Sequence, residues 1–413
     1  MSRQSLQRIG QRLLLALSIL GPGIITASAD NDAAGIATYS VAGSTYGYGF
    51  LWIILWVTLG EVVVQEMAAR MGAVTGKGLT DLIRERYGVR LAMPVMIGLV
   101  VANLGTTTAQ FAGVASASEL FGVSRYLAVP LAGFAMWLIV LRGSYSSVEK
   151  AMLALTLYAI AYVASAIMVR PTWSEVLQSA FVPTLSSDRH FLLALLATIG
   201  TTMTPWGCAY LQATVADKGV SMKQYGYTRV DVISGAALGN IVSAFIVICA
   251  AATLFPRGVR VESAAQAALA LEPLAGPWAK QLFAAGLLGA SLLAAAVLPL
   301  ATTYAVCEAF GWERGMNRLA SEAPMFYGLY TAQIVIGVFV VLIPAVPLFP
   351  LMWLSQVINA ALLPAVLVIM LTLANDVRIM RHWHNGHFSN LLSYVLIVLV
   401  SLATIALLID ALP

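Results

Sequence analysis

Two carboxylates, Asp30 and Asp32, stand in the apolar, membrane-length stretch that runs from Gly21-Pro22-Gly23 through Ile24-Ile25-Thr26-Ala27 to Ala33-Ala34-Gly35. An ionised Asp at mid-bilayer depth costs about 2.5 to 3.5 kcal/mol on insertion scales, so such a residue lines a pathway or faces a partner. No Lys or Arg lies between Arg12 and Arg70, so the chain offers no local counter-charge. The simplest partner is a transported cation. The alternative is that both acids cap a half-helix that starts after a break, as Asp does at many helix N-termini.

A second stretch has the same character. In Gly200-Thr201-Thr202-Met203-Thr204-Pro205-Trp206-Gly207, a Pro that removes an amide donor and Gly residues that weaken a helix fall within an apolar span. Unwound backbone inside a membrane is tolerated where it lines a cavity or is buried in protein. Two interrupted spans at matching places in the two halves of a chain are the signature of a transporter built from inverted repeats, with the site between them. Asp32 is the leading candidate ligand. Asp30, Asn31 and Gly35 in the first interruption, and Thr201 and Thr204 in the second, add carboxylate, carbonyl and hydroxyl oxygens. Gln356 closes over them from a later span, with Asn359 beside it; for both, hydrogen bonding between helices is the competing role. A nest of hard oxygens suits Mg²⁺, Ca²⁺ or Mn²⁺.

These residues must be placed by membrane helices. The 413 residues are 60% hydrophobic and 10% charged, far from the soluble average of roughly one quarter charged. The fold class expected is an all-α integral membrane protein. Eleven spans are predicted, near 13–43 (interrupted), 48–69, 92–121, 126–141, 151–169, 191–216 (interrupted), 230–255, 281–307, 325–343, 351–374 and 390–409. They form a single transporter domain, 1–413, with repeat one at 10–170, repeat two at 190–375 and an extra helix at 390–410. With the N-terminus inside, 17 of the 23 Lys and Arg residues fall in cytoplasmic joins, which predicts a multi-pass protein of the cell membrane with its C-terminus outside. The first span is expected to be retained, because no small-residue cleavage site ends it.

Other polar groups carry plainer expectations. Thr75 to Gly88 reads as a solvated amphipathic connector with Arg84, Glu85 and Arg86 on its polar side. Glu61, Gln65, Glu66 and Glu119 have two readings, the edge of a vestibule or the mark of a membrane boundary, and the second is favoured. His382, His384 and His387 read as loop histidines. Cys208, Cys249 and Cys307 lie in separate spans without disulfide or zinc spacing. Nucleic acid, a protein partner and a bound cofactor are not suggested, and an intramembrane hydrolase lacks a nucleophile and base at depth.

The residues also resemble the Nramp family of divalent metal transporters. The likeness lies in Gly21-Pro22-Gly23 leading to Asp32 and Ile36-Ala37-Thr38, in Ala68-Ala69-Arg70-Met71-Gly72-Ala73-Val74-Thr75-Gly76-Lys77, in Pro205, and in Leu354-Ser355-Gln356-Val357 through Pro364 to Asn375-Asp376. The resemblance implies a LeuT-type fold of 5+5 inverted repeats plus an eleventh helix, with broken helices 1 and 6 holding the ion, and alternating access.

The chain departs from the family pattern at telling places. Asp-Pro-Gly-Asn becomes Asp32-Ala33-Ala34-Gly35, the Met before the sixth-helix Pro becomes Thr204, and the following His becomes Trp206. The paired acids of the third helix fall near Thr106 and Ala109, and the family's ligating Gln aligns either with Gln356 or with Leu362. A thioether helps to select soft ions, so its loss weakens that selection. Small residues at 33, 34, 35, 200 and 201 leave room for Mg²⁺, which keeps part of its water. The resemblance is therefore to the Nramp-related magnesium transporter branch, carrying Mg²⁺ and Mn²⁺ without obligatory proton coupling. Two rivals are a proton-coupled Mn²⁺/Fe²⁺ transporter of the same family and a transporter of small organic solutes, which the midplane acids disfavour.

Overall fold

The computed structural model describes residues 31–142, 159–316 and 318–410, and every described regular element is helical. In chain order the main helices are α1 (Ala33–Tyr46), α2 (Leu51–Thr75), α3 (Leu79–Tyr87), α4 (Val89–Leu120), α5 (Arg125–Arg142), α6 (Ala159–Val169) and α7 (Trp173–Phe181). They are followed by α8 (Arg189–Thr202), α9 (Pro205–Asp217), α10 (Tyr225–Thr253), α11 (Ala279–Phe310), α12 (Pro324–Leu342), α13 (Leu348–Asn375) and α14 (His387–Asp410). Nine stretches among the described residues are long and apolar enough to cross a membrane. One of these nine joins α1 to α2, which the sequence divides into two spans, and the predicted fifth span is described only from Ala159. The glycines at 21 and 23, Pro22 and Asp30 lie outside the described residues.

Helices here gain little by hiding an apolar face from lipid, so their association depends on close packing of small residues. Two contacts show it. A Cβ on Gly200 would sit 1.9 Å from the Gln356 carbonyl oxygen, so α8 and α13 touch backbone to backbone. On Gly72 it would sit 2.7 Å from the Gln212 carbonyl oxygen, which presses α2 onto α9. The 32-residue α4 is a central post, packed on α11, α13 and α12, and α1 lies against α10, α13 and α8. The last helix, α14, rests on α13 and leaves Phe388, Leu391, Tyr394, Val395 and Val398 exposed. This stripe at spacings of three and four is a lipid-facing side.

The sixth span is interrupted as its Pro and Gly predict. α8 stops at Thr202, Met203 leaves helical geometry, and α9 restarts at Pro205, where a missing N–H is harmless at the first helical position. The connector differs from its expected solvated state. In α3 the residues Leu79 to Ile83, Asp81 included, are buried. Thr80 Oγ1 donates to Glu308 Oε2 at 2.8 Å, and Arg314 pairs with Asp81, so α3 is strapped beneath α11. Its amphipathic pattern marks a helix that packs on protein on one side, not one that lies free.

The close α8–α13 contact yields a stability prediction. Gly200→Val should lower the melting temperature in detergent, with an overpacking cost of about 1 to 3 kcal/mol. Gly105→Ala, which meets nothing within 4 Å, should melt with the wild type. Equal melting of the two variants would show that the contact does not hold the span in place.

Candidate metal centre

Asp32 sits at the N-cap of α1, 2% exposed, with extended backbone. Its Oδ1 accepts from the Gly35 N–H at 2.6 Å, and its Oδ2 accepts from Gln110 Nε2 at 2.6 Å. Gln110 Oε1 in turn accepts from the Ala33 N–H at 3.1 Å, so one side chain of α4 clamps both the carboxylate and the helix start. The capping role and the buried charge therefore coincide at Asp32. The unpaired amides at a helix N-terminus favour negative charge there, and each carboxylate oxygen keeps a free lone pair for a cation.

Gln110 belongs to a longer polar chain. Its Nε2 also donates to the Thr106 carbonyl at 3.1 Å, Asn359 Nδ2 donates to Thr106 Oγ1 at 3.1 Å, and the same amide nitrogen reaches Gln356 Oε1 at 2.9 Å. Gln356 and Asn359 thus connect to Asp32 through α4. Asn31 turns the other way: its Nδ2 donates to the Gly239 carbonyl at 2.8 Å and its Oδ1 accepts from Ser243 Oγ at 2.8 Å, both on α10. Gly35 is buried in the first turn of α1, and its N–H is held by Asp32.

At the second break Thr204 is the N-cap of α9, its hydroxyl accepting from the Gly207 N–H at 3.2 Å. Thr201 is 1% exposed, and its hydroxyl oxygen has no hydrogen-bond partner among the described residues. Tyr39 and Thr202 share a hydrogen bond of 2.8 Å between their hydroxyls, which ties α1 to the end of α8. The thioether of Met203 faces elsewhere. Its sulfur lies 3.1 Å from where a Cβ of Gly60 would stand, in the apolar cluster that α2 forms with α14. Trp206 fills a place in the opposite apolar cluster, 1% exposed.

A cavity of about 970 Å³ descends toward these breaks, lined by Thr38, Tyr46, Glu119, His190, Ala197 and Trp353 among others. α1 runs from its break toward this vestibule and α8 runs from the vestibule to its break. Asp32 lies six residues before Thr38, about 9 Å along a helix, and Thr201 four beyond Ala197, about 6 Å. The start of α1 and the α8–α9 break sit below the same floor. The other end is tied together by polar bonds: Gln212 Nε2 donates to the Lys77 carbonyl at 3.0 Å and Tyr304 donates to Asp217 at 3.1 Å.

Glu61 and Glu66 are structural. Glu61 is 2% exposed and binds Gln65 at 2.6 Å and the Asn240 amide of α10, which replaces the expected boundary position with a buried bridge. Glu66 holds Arg70 at 3.2 Å and Tyr225 at 2.5 Å. Glu119 lies at the vestibule. Gln110 is the residue that sequence reasoning missed. Its only local sign is the polar run Thr106-Thr107-Thr108-Ala109-Gln110 in an apolar span.

Fold and site together define a polytopic helical membrane transporter. The family signature described as natural resistance-associated macrophage protein-like (Nramp) matches residues 23–410, and the chain belongs to that family. It is 31% identical over 288 residues to the divalent metal cation transporter MntH of Erwinia tasmaniensis, covering 67% of this chain and 69% of that protein. It is 30% identical over 293 residues to the MntH of Klebsiella pneumoniae subsp. pneumoniae, covering 69% and 70%. In three dimensions it is similar to the Eremococcus coleocola manganese transporter, with a TM-score of 0.77 at 20% identity, over 97% of this chain and 87% of that one. The nucleobase-cation-symport transporter Mhp1 superposes with a TM-score of 0.56 at 15% identity over 94% and 92%, which places the chain in the LeuT-like fold.

The Gln110 clamp can be tested locally. Gln110→Leu removes the donor to Asp32 and the acceptor of Ala33, each loss costing about 1 to 3 kcal/mol when the partner stays buried. Amide exchange at residues 33–36 should quicken by at least tenfold, whereas Thr108→Ala, on another face of α4, should leave it unchanged. Slow exchange in Gln110→Leu would mean that α1 is held by other contacts.

Proposed function

We propose that this chain carries hard divalent cations, Mg²⁺ and Mn²⁺, across the cell membrane by alternating access. Family membership already makes it a divalent metal cation transporter rather than an enzyme. The finer reading rests chiefly on the chemistry around the two breaks: oxygen donors at Asp32, Thr201 and Thr204, with the Met203 thioether packed into the apolar cluster beside Gly60. Soft ions draw much of their affinity from sulfur, and hard ions draw none, so an oxygen set without a thioether admits Mg²⁺. Asp32 supplies the charge, the Thr201 hydroxyl a free acceptor, and Gln356 an amide oxygen on the far side; Asp30, Asn31 and Gly35 contribute backbone oxygens or charge near the same break.

Transport in this reading proceeds without an obligatory proton. Thr106 and Ala109 stand where the family carries paired acids in the third helix, and Trp206 stands where it carries His, so none of these positions exchanges a proton near neutral pH. The driving force is then the ion gradient and the membrane potential, which at 100 mV inside-negative contributes about 4.6 kcal/mol per divalent ion. The basic end, with Arg70, Lys77, Arg378 and Arg381, is assigned to the cytoplasm by the positive-inside rule. The N-terminus is then inside, the C-terminus outside, and the 970 Å³ vestibule open to the outside. Repeats at 10–170 and 190–375 rock about the breaks, with 390–410 as a flanking helix. Proton-coupled Mn²⁺/Fe²⁺ transport is the competing reading, favoured by the manganese-transporting relative of like fold.

Proteoliposomes decide between them. Mg²⁺ should enter and should compete with Mn²⁺, while a trapped pH dye stays constant; acidification of the lumen in step with Mn²⁺ entry would establish the competing reading. Asp32→Ala should abolish uptake of both ions with expression intact. Thr204→Met places a thioether next to the carboxylate, and the ratio of Cd²⁺ to Mg²⁺ uptake should rise by about tenfold, in line with ligand softness. An unchanged ratio would show that position 204 does not face the ion.

A further inference from the structure

The basic end holds a second cavity, of about 550 Å³, whose chemistry is opposite to that of the metal path. Lys77, Arg86, Arg378, Arg381 and His382 line it, against the single acid Glu85. Two of the five are neutralised within the protein, Lys77 by Glu85 at 2.7 Å and Arg86 by Asp376 at 2.8 Å. Arg378 and Arg381 are exposed, and their guanidinium groups make no ion pair or side-chain hydrogen bond among the described residues. The backbone at Arg381 has φ 52°, a left-handed conformation that L side chains rarely adopt. The segment that follows it is tied to the helices around it. Arg70 of α2 donates to the Trp383 carbonyl and to Asn385 Oδ1, both at 2.5 Å, and Asn385 is further bonded to Asn390 at 3.0 Å.

The cavity lies where apolar spans leave the membrane. α2 ends at Thr75, α13 at Asn375, and α14 begins at His387, so residues 376–386 cross the level of lipid headgroups. Val74, Leu82, Met222 and Ile379 give the cavity apolar walls, and Trp383, 38% exposed, sits at its rim as interfacial Trp residues do. The exposed stripe Phe388, Leu391, Tyr394 and Val395 starts in the first turn of α14 and offers a wall for acyl chains.

We infer that this cavity binds the phosphodiester headgroup of an anionic phospholipid, through Arg378 and Arg381, with the acyl chains lying along α14. Guanidinium groups suit phosphate because their donors are arranged as a planar fork. Unpaired charge at a headgroup level beside a lipid-facing helix is complementary to a lipid rather than to a solute, which would have no use for the stripe. The lipid would also fasten residues 376–386 to α2, through Arg70, and to α3, through Arg86 and Asp376. These elements close the basic end while the vestibule is open. An anionic lipid is therefore a brace on the outward-open arrangement.

Native mass spectrometry of the metal-free protein in neutral detergent tests this apart from any transport. Phosphatidylglycerol should remain bound where phosphatidylcholine of the same chains does not, and 1 M NaCl should abolish the difference. Each arginine near the surface contributes about a fivefold factor, so Arg378→Gln/Arg381→Gln should weaken phosphatidylglycerol binding about 25-fold. Arg378→Lys/Arg381→Lys should retain most of it, and Arg257→Gln, at the other end, should change nothing. Inorganic phosphate should not displace the lipid. Equal retention of both lipids, full binding by the Gln double variant, or displacement by phosphate would each overturn the lipid site.

Discussion

The placement of one buried carboxylate governs the rest of the fold. Asp32 can stay at the buried start of α1 because two N–H donors reach it at 2.6 Å, one from the first turn of its own helix and one from Gln110. Without them a carboxylate in this setting would be driven from the interior or neutralised. The same two bonds orient it, with its remaining lone pairs free. α4 must then be a long post that carries Gln110 to the right depth, and α1 must start at Asp32. Small residues on α1, α8 and α13 follow from the need to bring three backbones close to that point.

The architecture also separates the two ends by the kind of contact that closes them. Toward the vestibule, side chains line an open space above the breaks. Toward the basic end, backbone meets backbone at Gly72, the amide of Gln212 holds Lys77, and α3 is tied below α11 through Thr80 and Glu308. These are a handful of polar bonds between helices, which the proposed alternating access would exchange without unfolding any span. The interrupted α8–α9 segment is the natural hinge, since its backbone at Met203 and Thr204 already lies outside helical geometry.

Much of this was legible in the residues. Long apolar runs located the spans, and Pro205 with its flanking glycines placed the second break within the stretch from Gly200 to Gly207, because a missing amide and weak helix formers act locally. Asp32 stood out because charge is costly in that setting. What could not be read were the partnerships across space. Gln110 lies 78 residues from Asp32, and nothing within its own span distinguishes it from Thr106 or Thr108. The direction of Met203 depends on a helix that passes beside it with Gly60 at the crossing. Glu61 looked like a boundary charge because its amide partner sits on α10, and α3 looked solvated because amphipathicity does not say whether the other side is lipid or protein.

The proposed oxygen nest between the two breaks is tested most directly by anomalous diffraction from crystals soaked in Mn²⁺. One peak is expected between Asp32 and the Thr201–Thr204 segment, with oxygen ligands and no contact to the Met203 sulfur. A peak ligated by Met203, or a sole peak away from Asp32, would contradict the account.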